Sequence, residues 1–252
     1  MILLLDIGNT HTHLGIADAR RVVRREDIPT VGWRDGSASG RVWHFVRQRG
    51  IEGVSFCSVV PGSNAAVRTL SRKLFGVTPF QLTHETVRGI GVRYPQPHTI
   101  GQDRLANALA ALRRFGAPVV VVDFGTAVTF DVVDRRGDYV GGIIAPGLAA
   151  MTDYLHEKTA LLPRIQIREE RAVVGKNTEQ AMLIGAVRGY RGLVRELIGE
   201  LKRELKSPRL PVVATGGCAK LIAARLREIT AVDPSLTLEG LRLAWPGNPL
   251  ES

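Results

Sequence analysis

The chain has 252 residues, of which 44% are hydrophobic and 23% charged, and its formal net charge is +10. These fractions are typical of a soluble globular protein and exclude an intrinsically disordered chain. No apolar run approaches the length needed to cross a bilayer, so we expect no membrane span.

The positive charge by itself would permit nucleic-acid binding. However, 28 of the 34 basic residues are arginines (34 − 6 lysines), and they are scattered among glutamates in segments such as residues 188–204. This arrangement is typical of a solvated helix face. No dense basic run and no aromatic-rich strand suited to base stacking accompanies it. We therefore interpret the charge mainly as a composition effect, which would also suit an anionic substrate, and do not expect nucleic-acid binding.

The N-terminus and the two cysteines indicate the cellular compartment in which we expect the protein. Met1 leads directly into an apolar strand with no basic segment before it, which predicts the absence of a secretory signal. Cys57 and Cys218 lie far apart in apolar contexts and lack metal-ligand spacing. We expect both to be reduced core residues of a cytoplasmic protein.

The first half of the chain is predicted to begin with three strands and to continue with alternating helices and strands. The predicted strands cover residues 2–6, 13–17, 20–29, 53–60 and 79–82. The predicted helices cover residues 42–48, 64–75 and 102–115. Residues 32–40 are polar and glycine-rich, which predicts a loop, and residues 88–99 are broken by Gly and Pro, which predicts irregular structure.

The second half is predicted to repeat this order. Its strands cover residues 119–123, 128–133, 139–144 and 211–215. Its helices cover residues 146–156, 177–204, 219–227 and 238–245, and the long helix 177–204 is expected to be interrupted near Gly185 and Gly189. Strands in threes followed by helix–strand alternation, twice over, predict a duplicated α/β fold with domains 1–117 and 118–252.

Two segments of the chain repeat at a constant offset (123 − 6 = 117). Each has an apolar strand, an Asp-x-Gly turn and a second strand, reading ILLLDIGNTHTHLGI from Ile2 and VVVVDFGTAVTF from Val119. The offset matches Asp6 with Asp123, Gly8 with Gly125, Asn9 with Thr126, and Thr12 with Thr129.

The residue types of these turns indicate phosphate binding. Glycine allows a ligand to approach the backbone closely, and the following hydroxyl, amide and N–H groups suit phosphate oxygens. A carboxylate at the strand end would repel bare phosphate, so we expect it to hold a cation or a cation-bound water. One such turn is common for structural reasons alone. Two in register favour a functional pair over two structural hairpins.

The duplicated unit resembles the actin-like (ribonuclease H-like) superfamily of ATPases and kinases, in which a nucleotide cleft lies between two such domains. Within that superfamily, four motifs resemble the type III pantothenate kinase family. They are DIGNT from Asp6, GQDR from Gly101, DFGTAVT from Asp123 and GGIIAPG from Gly141. They follow one another in the family's order over essentially the whole chain.

The resemblance implies ATP-dependent phosphorylation of pantothenate to 4′-phosphopantothenate, the first step of coenzyme A synthesis. It implies that Asp103 accepts the proton of the pantothenate hydroxyl and that Arg104 binds an anionic or polar part of the substrate. From the residues alone, Asp103 could equally be a carboxylate favoured at a helix N-terminus. Arg104 could equally form a surface salt bridge.

The remaining site residues also follow from the resemblance. ATP binding is implied for Asp6, Gly8, Asn9, Thr10 and Thr126. Pantothenate binding is implied for Tyr94, Gly101, Gln102, Asp103, Arg104 and Thr178. Without the family, Tyr94 would be interpreted as a loop residue and Thr178 as a helix N-cap. Asp6 is expected to act indirectly on Mg²⁺, Asp123 to bind a monovalent cation (K⁺ or NH₄⁺), and the protein to form a homodimer.

Two other functions stay open. One is a kinase of the same superfamily that phosphorylates a different small hydroxyl compound. The other is a non-catalytic regulatory homologue that binds nucleic acid through its positive charge. His11 and His13 flank the first turn, but they lack the spacing and company of metal ligands, so we interpret them as half-exposed strand residues.

Overall fold

A computed structural model describes residues 1–47 and 49–247. The chain forms two compact units. The first comprises Met1–Arg114, Gly137–Val140 and the C-terminal segment from Ser235, and the second comprises Phe115–Arg136 and Gly141–Pro234. The expected domain boundary between residues 117 and 118 stays a prediction.

The strands and helices follow the predicted alternation. The strands are β1 Ile2–Ile7, β2 His11–Ala17, β3 Val22–Pro29, β4 Gly53–Ser58, β5 Phe80–Gln81, β6 Gly91–Val92, β7 Val119–Phe124, β8 Ala127–Val133, β9 Asp138–Pro146, β10 Val212–Thr215 and β11 Ala231–Val232. The α-helices are α1 Gly32–Asp35, α2 Ser37–Val46, α3 Asn64–Phe75, α4 Gln102–Phe115, α5 Leu148–Lys158, α6 Thr178–Leu183, α7 Tyr190–Glu204, α8 Ala219–Ala223 and α9 Leu236–Ala244.

The structure has two sheets with the same central order. The first is β3-β2-β1-β4-β5, and the second has six strands, β6-β9-β8-β7-β10-β11, of which the last five match the first sheet. In each, the central strand pairs antiparallel with the next strand in the chain and parallel with a later one (β1 with β2 and β4, β7 with β8 and β10). The predicted duplicated α/β fold is therefore confirmed at the level of strand topology.

The register of the repeat differs by one residue between the copies. In the first, Asp6 pairs with His13 and Ile7 with Thr12, whereas in the second Asp123 pairs with Thr129. The reason is turn length, because residues 8–10 connect β1 to β2 but only residues 125–126 connect β7 to β8. The match of Thr12 with Thr129 is therefore wrong.

Strand β1 and its neighbour β4 lie in the core of the first unit. Every residue of β1 and β4 is buried, which explains their continuous apolar or small-residue sequences. Helix α9 returns to the first unit, where Ser55 Oγ donates to the Leu241 carbonyl over 2.9 Å. Gly240 packs so closely on the Ala106 backbone that no side chain would fit there.

The loop predicted over residues 32–40 is wrong, because this segment forms α1 and the start of α2. Buried Trp33, Ala38, Val42 and Phe45 give it an apolar face that outweighs its glycine and serine content. Gly36, with φ at +83°, separates the two helices. The helix end predicted at residue 48 lies outside the described residues.

In the second unit, the predicted interruption of helix 177–204 is confirmed, because a π-helical segment, Ile184–Gly189, joins α6 to α7. The helix predicted over residues 219–227 is too long, since α8 ends at Ala223. No helix within the described ranges is both long and apolar enough to cross a membrane.

Candidate active site

The first turn of the repeat connects β1 to β2. Asp6, on β1, is only 8% exposed, whereas Asn9 and Thr10 in the turn are exposed. The Gly8 N–H donates to the His11 carbonyl over 3.0 Å, and a Cβ on Gly8 would lie only 3.0 Å from that oxygen. The turn therefore presents an amide and a hydroxyl next to a buried carboxylate.

A network of hydroxyl groups supports this turn. The Thr30 N–H donates to the Thr10 carbonyl over 3.0 Å, and its hydroxyl donates to the Gly8 carbonyl over 2.7 Å. The Thr12 hydroxyl lies 3.0 Å from the Thr30 hydroxyl and accepts a bond from Trp33 Nε1 over 3.0 Å. Nothing in the sequence indicates this role for Thr30 and Trp33, which are distant from the turn along the chain and carry no motif.

Asp6 and Asp103 come together around Cys57 in the first unit. The Cys57 thiol is fully buried and donates to Asp6 Oδ1 over 3.3 Å. Burial, followed by the negative charges of Asp6 and Asp103, raises the pKa of the Cys57 thiol well above its ordinary value. Two predicted site residues thus influence the same thiol, for which the sequence predicts only a place in the core.

Gln102 anchors the start of α4 to the ends of two strands. Its Oε1 accepts from the Ser58 N–H over 3.0 Å and from Gln81 Nε2 over 3.3 Å. This oxygen already has two donors, so the expected contact of Gln102 with pantothenate would have to use the amide nitrogen. The structure gives Gln102 a clear part in positioning the helix.

Asp103 lies in the first turn of α4, and its carboxylate folds back towards Gly101. A Cβ on Gly101 would lie 2.5 Å from Asp103 Oδ1, so a side chain there would displace the carboxylate. Burial is the main effect on Asp103 and raises its pKa, although the backbone N–H and the charge of Arg104 oppose the shift. A carboxylate with a raised pKa is a stronger proton acceptor than an ordinary one.

Arg104 and Tyr94 are brought together by a third residue, Tyr139. The Tyr94 and Tyr139 rings meet edge to face, with centroids 6.3 Å apart. The Arg104 guanidinium lies over the Tyr139 ring, with Cζ 5.9 Å from the centroid. All three belong to the first unit. Tyr139 was predicted only as part of a strand, because nothing in its sequence position indicates these contacts.

The second turn, at residues 125–126, is exposed and packs on Gly147. The Gly147 N–H donates to the Thr126 carbonyl over 3.2 Å, and a Cβ on Gly147 would lie 2.6 Å from the Gly125 carbonyl. The preceding carbonyl, that of Pro146, accepts from the Tyr190 hydroxyl over 3.2 Å. Helix α7 therefore helps to hold the segment on which this turn rests.

Asp123 lies on β7, where it pairs with Thr215 of β10. The next residue, Gly216, has φ at +88°, and a Cβ there would lie 2.5 Å from Asp123 Oδ1. A side chain at this position would therefore displace the Asp123 carboxylate, which explains why glycine is found there.

Thr178 is an exposed residue of the second unit and begins α6. The N-cap of that helix is Asn177, whose Oδ1 accepts from the Gln180 N–H over 2.9 Å. The interpretation of Thr178 as an N-cap is therefore wrong, and its expected role towards pantothenate stays a prediction.

Histidine, cysteine and acidic residues form no group of three that could hold a metal ion within residues 1–47 and 49–247. His13 is an exposed strand residue with Nδ1 2.7 Å from Asp27 Oδ1. His11 and His13 both lie on β2, as the sequence predicted.

Comparison with solved structures identifies the fold. A conserved Baf family protein from Campylobacter jejuni superimposes with a TM-score of 0.62 at 17% identity, covering 99% of this chain and 100% of that one. The inorganic polyphosphate/ATP-glucomannokinase of Arthrobacter sp. strain KM superimposes with a TM-score of 0.50 at 14% identity, covering 100% and 99% of the two chains. The chain has the actin-like fold that the resemblance implied.

Sequence comparison gives the family. A protein from Methylacidiphilum infernorum, named type III pantothenate kinase, is 42% identical over 243 residues, which are 96% of this chain and 87% of that protein. The sequence model of the type III pantothenate kinase family matches residues 2–200. On both grounds, the chain belongs to the type III pantothenate kinase family.

Proposed function

We propose that this protein transfers the γ-phosphoryl group of ATP to the primary hydroxyl of pantothenate, which gives 4′-phosphopantothenate in the first step of coenzyme A synthesis. The observation that carries the proposal is the grouping of Asp6, Cys57 and Asp103 in the first unit. It supplies a proton acceptor and a carboxylate suited to Mg²⁺ in one neighbourhood, as hydroxyl phosphorylation requires. Family membership supplies the identity of the acceptor.

In the proposed reaction, Asp103 accepts the proton of the pantothenate hydroxyl as the hydroxyl oxygen bonds to the γ-phosphorus. The bond between that phosphorus and the β,γ-bridging oxygen breaks, and ADP leaves with the electron pair. The raised pKa of Asp103 favours its role as the base. Afterwards Asp103 returns the proton to solvent.

The two turns are proposed to bind the phosphates of ATP. Gly8, Asn9 and Thr10 would do so from the first turn and Thr126 from the second, since these residues offer N–H, amide and hydroxyl donors. Asp6 would hold Mg²⁺ through a bound water. When bound, Mg²⁺ neutralises phosphate charge.

We further propose that Asp123 binds a monovalent cation, K⁺ or NH₄⁺. The support is the carboxylate itself and the close approach that Gly216 permits. Carboxylate and carbonyl oxygens are suitable ligands for such ions, and the ion would add positive charge to balance the phosphates.

The acceptor is proposed to be bound mainly at the start of α4. Arg104 would bind an anionic or polar part of pantothenate, because a guanidinium forms strong charge-assisted hydrogen bonds with carboxylate oxygens. Tyr94, Gly101 and the Gln102 amide nitrogen would contact its other groups, and Thr178 would contribute from α6.

A homodimer is proposed from the surface of the second unit. Seven large apolar side chains among its described residues are exposed, namely Ile144, Tyr154, Leu155, Leu161, Val173, Val174 and Val232. Leu161 is 90% exposed, and covering such residues with a second copy would remove apolar area from water. We also propose a cytoplasmic location, which suits the free thiols of Cys57 and Cys218.

A coupled assay of ADP release tests the proposed reaction, using the full chain with ATP, Mg²⁺ and pantothenate in K⁺ buffer and again in Na⁺ buffer. We expect release that requires pantothenate and is faster with K⁺, and almost none from Asp103→Asn. ADP release with a sugar but not with pantothenate would show that the acceptor is a sugar and not pantothenate. No release, together with salt-dependent DNA binding, would favour a regulatory protein.

A further inference from the structure

Tyr139 is a buried residue of β9 that contacts two residues expected to bind the acceptor. Its side chain has no exposed surface. Its ring nevertheless meets the Tyr94 ring edge to face and lies beneath the Arg104 guanidinium. One residue that cannot reach a ligand therefore connects two that we expect to do so.

The backbone of Tyr139 reinforces its contact with Tyr94. Val92 of β6 pairs with Tyr139 in a parallel ladder, and the Arg93 N–H donates to the Tyr139 carbonyl over 2.9 Å. The two residues before Tyr94 are thus fixed to the Tyr139 backbone, and its ring fixes the Tyr94 side chain. This short ladder gives Tyr94 a defined position within a segment rich in Gly and Pro.

The contact with Arg104 orients a charged group. An aromatic face attracts a guanidinium through its electron-rich centre, and here Arg104 Cζ lies 5.9 Å from the centroid of the Tyr139 ring. The N–H donors lie in the guanidinium plane, and their fork is what binds a carboxylate with two parallel hydrogen bonds. A ring that holds the guanidinium in place therefore restricts where Arg104 can offer these donors.

We propose that Tyr139 is a positioning residue that sets the affinity for the anionic acceptor by holding Arg104 and Tyr94 in place. The acceptor's identity as pantothenate rests on the proposed function. The phosphate contacts proposed for ATP lie on the turns at residues 8–10 and 126, which Tyr139 does not contact through either ring interaction. Its loss should therefore weaken binding of the acceptor and leave that of ATP almost unchanged.

Three variants of the full chain test this selectivity. Tyr139→Leu removes the aromatic face, and Tyr139→Phe keeps it. Phe45→Leu alters a buried aromatic of α2 in the same unit as a control for general loss of packing. We expect Tyr139→Leu to raise the KM for pantothenate about threefold to thirtyfold, with the KM for ATP within about twofold of the unaltered protein. The other two variants should keep both KM values.

The proposal is overturned if Tyr139→Leu leaves the pantothenate KM unchanged or raises both KM values equally. It is also overturned if Tyr139→Phe behaves as Tyr139→Leu does. Each of these results requires an unaltered protein that phosphorylates pantothenate.

A second measurement separates this inference from the proposed function. Thermal unfolding is compared for Tyr139→Leu, Arg104→Met and the double variant. If Tyr139 holds Arg104, the melting temperature of the double variant falls by less than the sum of the two single losses. Additive losses would overturn the positioning role, even if the unaltered protein proved inactive with pantothenate. Inactivity alone would contradict only the proposed function.

Discussion

Cys57 and Asp6 are direct partners in the parallel ladder between β4 and β1, and the Cys57 thiol donates to Asp6 Oδ1 over 3.3 Å. The sheet register itself places the donor beside the carboxylate. Because burial and the two neighbouring carboxylates raise the pKa of the thiol, Cys57 keeps its proton at neutral pH and remains a donor. This bond helps to orient Asp6.

We predict that Cys57→Ala lowers kcat about fivefold, the effect of losing one modest hydrogen bond. Cys57→Ser should keep most of the activity, because its hydroxyl restores a donor. Turnover measured at saturating ATP and pantothenate over a series of Mg²⁺ concentrations checks this. Equal activity in the alanine and serine variants would show that the bond to Asp6 has no role.

Protonation of Asp103 should cause the loss of kinase activity at acidic pH. A base must be deprotonated to act, and burial raises the pKa of Asp103 above the ordinary 3.8. Activity should therefore fall on acidification at a higher pH than an ordinary aspartate would give. Asp103→Asn should lower turnover about a hundredfold to ten-thousandfold and remove this loss at acidic pH. A profile with the same acidic loss in Asp103→Asn would assign it to another group.

The raised pKa of Asp103 also predicts that its ionised form destabilises the folded protein. Since the pKa of Asp103 is higher in the folded state, the folded protein binds this proton more tightly, and stability falls as pH rises through the raised pKa. Asp103→Asn should therefore melt at a higher temperature than the unaltered protein at pH 7. The difference should shrink as the pH approaches 3.8. A lower melting temperature at pH 7 would contradict the destabilising effect of the charge.

Asp123→Ala should weaken activation by K⁺, because it removes the carboxylate proposed to hold the ion. Asp134→Ala is a matched control, since it removes the same charge from a turn of the same unit. Initial rates over a K⁺ titration, at constant ionic strength in Na⁺, separate the two variants. If Asp123→Ala retains the K⁺ dependence of the control, the ion binds elsewhere.

Arg191 should be a major contributor to the stability of the second unit. It is 5% exposed, forms two hydrogen bonds with Glu169, and donates to the carbonyls of Leu221 and Ile222. Arg191→Met would leave these acceptors without their donor, so we expect a loss of about 3 kcal/mol in the free energy of unfolding.

The control for Arg191 is Arg195→Met. Arg195 is exposed and forms an ion pair with Glu228 at 3.4 Å, so its replacement should cost about 0.5 kcal/mol or less. Urea denaturation of both variants measures the difference. Similar losses would mean that the buried arginine makes no special contribution.

The exposed apolar side chains of the second unit form the surface proposed for the dimer. Charged substitutions there should prevent the two copies from associating. Leu161→Glu combined with Val174→Glu should convert the proposed dimer to a monomer, because charged groups are costly to bury. Val31→Glu, at an exposed position of the first unit, should leave the dimer intact. Light scattering after size exclusion gives the mass of each variant. A dimer that survives both substitutions must use another surface.

The sequence predicted those strands, turns and helix starts that depend on residue types close together in the chain. Apolar runs ending in Asp-x-Gly indicated β1 and β7, and the turns at Gly8 and Gly125 follow them as expected. Asp103 lies in the first turn of a helix, also as expected. These features follow from residue types within a few positions, and strand and turn signals reflect such local preferences.

The sequence could not predict features that depend on distant contacts. The first turn is one residue longer than the second, so Thr12 and Thr129 are not structurally equivalent. Only the strand pairing of β1 with β2 and of β7 with β8 reveals this difference. Cys57 and Tyr139 looked like ordinary core residues, because their contacts with Asp6, Tyr94 and Arg104 join separate parts of the chain. Packing between distant segments decides such roles.

The most direct test of the central claim is to identify the product by mass spectrometry and ³¹P NMR after incubation of the full chain with ATP, Mg²⁺, K⁺ and pantothenate. We predict 4′-phosphopantothenate and ADP in equal amounts from the unaltered protein, and almost none from Asp103→Asn. An unaltered protein that leaves pantothenate unphosphorylated, or an Asp103→Asn variant that forms the product at the normal rate, would contradict the account.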